Sequence, residues 1–138
     1  MRNGFTLIEL LVVMGIIAIM AAVVAVAVNP MRQFMNARDT QRRTDLYALT
    51  SALVQYQIDN DGHLPDQENF PLVAQCIGNT IPCLNLASYL VPLYLPEIPT
   101  DPSTGTPAHT QYFIYRDSTR KLVASSSGEI TPQIVIAR

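Results

Sequence analysis

The chain has 138 residues, a formal charge of −2 and a sequence pI near 5.5. That length points to one compact unit, and the charge balance, with no Lys/Arg-rich run interleaved with aromatics, gives no sign of a nucleic-acid partner. Apolar residues make up 49% of the chain, but much of that share sits in one N-terminal block. The remainder is rich in turn formers, with every proline except Pro30 falling between Pro65 and Pro132, which predicts a small domain of limited core and many loops.

Residues 5–28, FTLIELLVVMGIIAIMAAVVAVAV, carry a single charge, Glu9. As a helix this block is about 36 Å long, enough to cross a hydrocarbon layer of about 30 Å with some tilt. Asn29-Pro30 follows and predicts a kink or local break. Three readings compete. A secretory signal peptide has an apolar region of only about 7–15 residues, although Ala25-Val26-Ala27 supplies an A-x-A cleavage pattern. A plain transmembrane anchor fits the length but leaves Glu9 unexplained, because a charge at the bilayer centre costs around 2.5–3.5 kcal/mol, and less near the interface. A cut before Phe5 explains it: the new α-amino group of one subunit pairs with Glu9 of its neighbour, offsetting both desolvation penalties and fixing the axial register.

Gly4-Phe5-Thr6-Leu7-Ile8-Glu9-Leu10, with Arg2 ahead of it and the long apolar run behind, resembles the N-terminal signal of the type IV pilin and type II secretion pseudopilin families. The resemblance implies a leader of residues 1–4 that a prepilin peptidase removes after Gly4, methylation of the new N-terminal Phe5, and Glu9 as the acid that guides assembly. It makes residues 5–29 a transmembrane helix that becomes the filament core. Gly15, Ala18, Ala22 and Ala25 fall on one helix face, where backbones can approach closely; alanine is also simply common in apolar helices. Arg32, Arg38, Arg42 and Arg43 follow the helix while Arg2 precedes it. The positive-inside rule alone would place the C-terminal side in the cytoplasm. The resemblance places it outside, and the expectation follows the resemblance because a peptidase reads that signal.

Residues 30–60 continue as an amphipathic helix. Leu46, Leu49, Leu53 and Tyr56 fall at i, i+3, i+7 and i+10, one apolar stripe, broadened by Tyr47, Ala48, Ala52 and Val54. Arg38, Asp39, Arg42, Arg43 and Asp45 cluster before the stripe, either as a solvated helix face or as partners for neighbouring subunits. Asn60-Asp61-Gly62 ends the helix. Ala37-Arg38-Asp39, Asp45-Leu46, Ala52-Leu53, Tyr56 and Asp59-Asn60-Asp61-Gly62-His63-Leu64-Pro65 are most similar to the major pseudopilin pattern. Asp61 is extra before the glycine, and Leu64 replaces the usual Tyr.

Residues 61–138 form the head. Cys76 and Cys83 lack a Cys-x-x-Cys or Cys/His companion set, which argues against structural zinc. They read as a disulfide of an exported domain or as two unpaired cysteines in a reducing compartment. Leu86–Leu90 has the pattern of a helical turn, and Ile98–Gly105 is turn-dense, similar to the Pro-x-Asp-Pro…Gly element of pseudopilins. Residues 111–115 and 121–125 read as strands joined by a turn at Asp117–Arg120; a turn at Ser126-Ser127-Gly128 leads to a third strand at Ile134–Ile136. The expected class is α+β: a long N-terminal helix, its first half transmembrane, packed on a small antiparallel sheet.

No catalytic set is apparent. His63 and His109 are isolated among turn residues, Ser125–Ser127 lacks a G-x-S-x-G setting, and no phosphate-binding glycine loop is present. The expectation is a non-enzyme without cofactors. Some pseudopilins hold calcium in their head loops, and a hard cation takes about six to eight oxygens. Here Asp101, Asp117 and Glu129 lie in loops without the D-x-[DN]-x-[DN]-G run, so they read as solvated turns and no metal is expected. The resemblance implies a structural subunit of a type II secretion pseudopilus, or else a major or minor type IV pilin for adhesion, twitching motility or DNA uptake. A membrane-tethered adhesin that never polymerises is the reading from another class. Implied partners are copies of the chain, related pilin-like subunits, the prepilin peptidase, an inner-membrane assembly platform and, before assembly, membrane lipid. The implied location is single-pass in the cytoplasmic membrane with the head outside, then an extracellular or periplasmic filament.

Overall fold

The computed structural model describes residues 4–66 and 69–138; most of the expected leader lies outside the described residues. The chain divides into two units, one running through Phe34 and the other Met35–Arg138.

In the first unit, helix α1 spans Leu7–Ala27. Thr6 caps it in an extended conformation, and its hydroxyl accepts a hydrogen bond from the Glu9 amide at 3.3 Å. None of its residues is buried, and among the described residues it is the one helix long and apolar enough to cross a membrane. A helix apolar on all sides needs lipid or protein around it. Helix α2 begins at Pro30, whose fixed φ and missing N–H suit a first helical position. Asn29 serves as its cap, with Oδ1 accepting from the Arg32 amide at 3.3 Å. The expected break at Asn29-Pro30 is therefore an end and a fresh start.

Helix α2 runs Pro30–Asp59, most of it in the second unit. It stops where Asp61 and Gly62 take positive φ and the Gly62 amide bonds back to the Gln57 carbonyl at 2.7 Å, a left-handed C-terminal cap. The extra Asp61 is thus accommodated, since Asp tolerates this conformation better than most residues.

The sheet consists of β1 (Gln75–Cys76), β2 (Tyr112–Arg116), β3 (Leu122–Ser127) and β4 (Gln133–Ala137) in the order β1-β2-β3-β4. All neighbours are antiparallel, with Ile114 opposite Ala124 and Ala124 opposite Ile136. A single-turn helix, α3, covers Ala87–Leu90. The strand β3 extends through Ser126 and Ser127, two residues beyond the expected end, and Ser125 and Ser126 are buried. Leu46, Leu49 and Leu53 of α2 are fully buried in a core with Tyr112, Ile114, Leu122, Ala124, Ile134, the loop residue Leu86 and Leu90 of α3. Leu64, the departure from the pseudopilin pattern, is part of this core. Tyr56 meets Tyr89 and Tyr94 edge-on, with ring centroids 6.2 and 5.7 Å away. Tyr47 does not broaden the stripe: it is half exposed, with the Arg138 guanidinium 5.7 Å from its ring.

Candidate processing and assembly site

Gly4 and Phe5 precede the capped helix in irregular backbone, and both are exposed. A Cβ built on Gly4 meets nothing within 4 Å. Among the described residues, no packing therefore asks for glycine there. Glu9 is the third helical residue, so Thr6-x-x-Glu9 matches the spacing of a capping box, a signal legible in the sequence but not read there. Its carboxylate is exposed at the N-terminal end, where the helix dipole favours negative charge. No salt bridge among the described residues includes it.

The second cluster lies in the head, and it corrects the reading of the early α2 charges. Asp39 and Arg42 are neither solvated nor free for neighbours: they are buried, with 4% and 2% of their surface exposed. Arg42 uses all three guanidinium nitrogens. Its Nε and Nη2 grip Asp101 at 2.5 and 3.2 Å, Nη1 donates to Asp39 at 2.8 Å, and Nη2 also reaches Ser103 at 2.8 Å and Glu129 at 3.1 Å. Arg38 holds both oxygens of Glu129 at 2.6 and 2.5 Å. Asp39 in turn accepts the amides of Glu129, Ile130 and Thr131 at 2.8, 2.9 and 3.1 Å. Two loops, 101–105 and 128–131, are thereby tied to one helix face.

Electrostatics follow from these contacts. Burial disfavours the charge on Asp39, but the three amides and Arg42 outweigh it and lower its pKa to about 2. Burial likewise opposes the charge on Asp101, and Arg42 with Ser103 overcomes it and lowers its pKa. The Asp101 hydrogen bond raises Arg42 against desolvation. One helical turn on, Asp45 accepts the Tyr112 hydroxyl at 2.6 Å and the Gln41 side-chain amide at 2.8 Å; burial and this bond together raise the tyrosine. Sequence reading missed the set, although its signal was present. Stepping back from Leu46 by helical intervals lands on Arg42 and then Asp39, so the packing face continues through them.

Cys76 and Cys83 are joined as a disulfide with Cα atoms 4.7 Å apart. His109 is not isolated: one of its ring nitrogens lies within 4.8 Å of both sulfurs. Those sulfurs are bonded to each other and cannot act as thiolate ligands, and His109 Nδ1 already accepts the Gln111 amide at 3.2 Å. Asp117 closes its own turn, accepting the Thr119 hydroxyl and amide at 2.8 Å and the Lys121 amide at 2.9 Å. An apolar hollow of about 280 Å³ opens beside Ile77, Leu86 and Ile98; its lining includes one ionisable side chain, Glu97.

The prokaryotic N-terminal methylation motif matches residues 1–25. The chain is 34% identical over 102 residues to the type II secretion system core protein G of Pseudomonas aeruginosa (strain PAO1), an overlap covering 73% of this chain and 68% of that protein. No solved structure matches it.

Proposed function

The chain belongs to the type II secretion system core protein G family, the major pseudopilins, and on that premise we propose how its N-terminal segment works. The chain is a structural subunit of a type II secretion pseudopilus. A prepilin peptidase cuts after Gly4 and methylates Phe5. The helix α1 then holds the subunit in the cytoplasmic membrane, among lipid, with the head outside. At the inner-membrane platform each subunit leaves lipid and joins copies of itself and related pilin-like subunits, and Glu9 takes the Phe5 amine of a neighbour. The observation that carries this reading is the exposed Gly4-Phe5 junction directly ahead of a capped, wholly exposed apolar helix whose single charge is Glu9.

The arginines behind the helix bear on orientation. Arg38 and Arg42 make ion pairs in the folded head, and Arg43 donates to the Thr131 hydroxyl at 3.2 Å. Their presence on that side is accounted for by the fold, whatever it costs in charge bias during insertion. The positive-inside count therefore weighs less against a head outside the cytoplasm.

The test is N-terminal sequencing after expression with a prepilin peptidase. The wild-type chain begins at N-methylated Phe5, and Gly4→Leu stays uncut while its head folds normally, because nothing in the structure crowds that position. A Gly4→Leu chain that still begins at Phe5 would sink the processing assignment.

A further inference from the structure

Of the head-loop acids that invite a calcium ion, Asp117 closes its own turn, and Asp101 and Glu129 are already occupied by a side chain. Asp101 and Glu129 come from separate loops and Asp39 from α2, and all three converge on the Arg42 guanidinium. Their other oxygen capacity is also used. Asp101 Oδ1 accepts the Ser103 amide and hydroxyl and the Thr104 amide, at 2.9, 2.7 and 3.0 Å. Asp39 is filled by three amides, and Glu129 by Arg38. Among the described residues, no buried side-chain nitrogen or oxygen lacks a partner. A hard cation needs several carboxylate or carbonyl oxygens facing one point, and this donor set faces a guanidinium instead. The donor set does not fit calcium.

We propose that Arg42 is the resident cation of the head: it organises loops 101–105 and 128–131 as a divalent ion would, so that the folded head neither binds nor requires calcium. Two glycines show that the backbone is built around this arrangement. A Cβ on Gly128 would meet the Thr131 carbonyl and come within 3.1 Å of both Asp39 oxygens, and one on Gly105 would strike the backbone of Asp101. The 128–131 loop lies too close to Asp39 for a side chain at position 128, and the 101–105 turn is too tight for one at position 105. The planar fork of arginine matches this task, since it engages several oxygens in fixed directions. Lysine offers one compact charge and cannot span the same set.

The experiment uses the full chain in detergent, with unfolding of the head followed by tyrosine circular dichroism. Wild-type melts in calcium chloride and in a chelator coincide, and calorimetric titration with calcium gives no binding isotherm. A rise in midpoint with calcium, or saturable calcium binding by the wild type, overturns the proposal. Arg42→Gly isolates the role of charge. Its midpoint falls by roughly 10 °C or more, and added methylguanidinium restores a substantial part of the loss while the neutral analogue methylurea does not. Equal behaviour of the two additives, including failure of both to restore the fold, counts against a cation role.

Discussion

Replacing Asp39 with Asn removes one negative charge from the buried set and leaves its shape almost unchanged. The folded-state pKa of Asp39 is about 2, against an ordinary value of 3.8. The difference corresponds to roughly 2 kcal/mol of stability from the ionised group. The sign is that of a depressed acid: the contribution is complete above about pH 4 and disappears as pH falls through about 2. Asn also turns an NH2 group toward an amide or toward Arg42, so about 2 kcal/mol is a lower bound, and losing one partner of a buried pair reaches about 3–5 kcal/mol. For a unit of roughly 100 residues, 2 kcal/mol lowers the midpoint by about 10 °C. The chain has no Trp but six Tyr, so near-ultraviolet circular dichroism of the tyrosines reports the head during urea unfolding in detergent. Asp39→Asn should be less stable than wild type by at least about 2 kcal/mol at pH 7, with the gap closing between about pH 4 and pH 2. A gap below about 0.5 kcal/mol at pH 7, or one that stays constant down to pH 2, would refute the electrostatic account.

Glu9→Val inserts into the membrane at least as well as wild type but assembles poorly, measured as sheared filament yield against membrane-fraction content; normal filaments would remove the ion-pair role. Leu53→Ala, at a fully buried position against the sheet, destabilises the head by about 2–5 kcal/mol in urea unfolding. Tyr112→Phe leaves the Asp45 carboxylate without its 2.6 Å hydroxyl donor and costs about 1–3 kcal/mol by the same measurement; a neutral effect would mean that water or Gln41 replaces the lost bond.

The elements that depend on local pattern were legible. The apolar block, the break at Asn29-Pro30 and the Leu46–Leu49–Leu53 stripe each arise from periodicity or from one strong punctuating residue, and their positions follow directly. The ends of the strands were less so. Ser126 and Ser127 look like turn formers, yet they pair with Ile134 and Gln133, because the sheet gives their backbone partners and Gly128 supplies the actual turn. The charge cluster was hardest to see. Asp39 and Arg42 lie on the same face as the leucines, but charged residues are rarely buried unless paired. Their partners, Asp101 and Glu129, are far away in sequence and sit in loops where an acid ordinarily meets solvent. His109 and the cysteines make the same point, since their proximity is a product of β1 pairing with β2 and not of spacing.

The two ends of the helical region solve opposite problems with charge. On the α2 face, Arg38, Arg42 and Asp39 are satisfied together with Asp101 and Glu129 from two loops, so that face is complete as folded. Helix α1 has one acid and, among the described residues, no cation bridged to it. Its position near the helix start recovers about 0.3–1 kcal/mol from the dipole, and the Thr6 cap satisfies an amide rather than the carboxylate. Against that stands a penalty of up to about 2.5–3.5 kcal/mol once the acid is taken into hydrocarbon or a packed helix bundle. Local structure therefore accounts for only part of what retaining Glu9 requires. The proposed cut after Gly4 would supply the remainder, because it creates an α-amine at Phe5, a cation at the same end of the helix as Glu9.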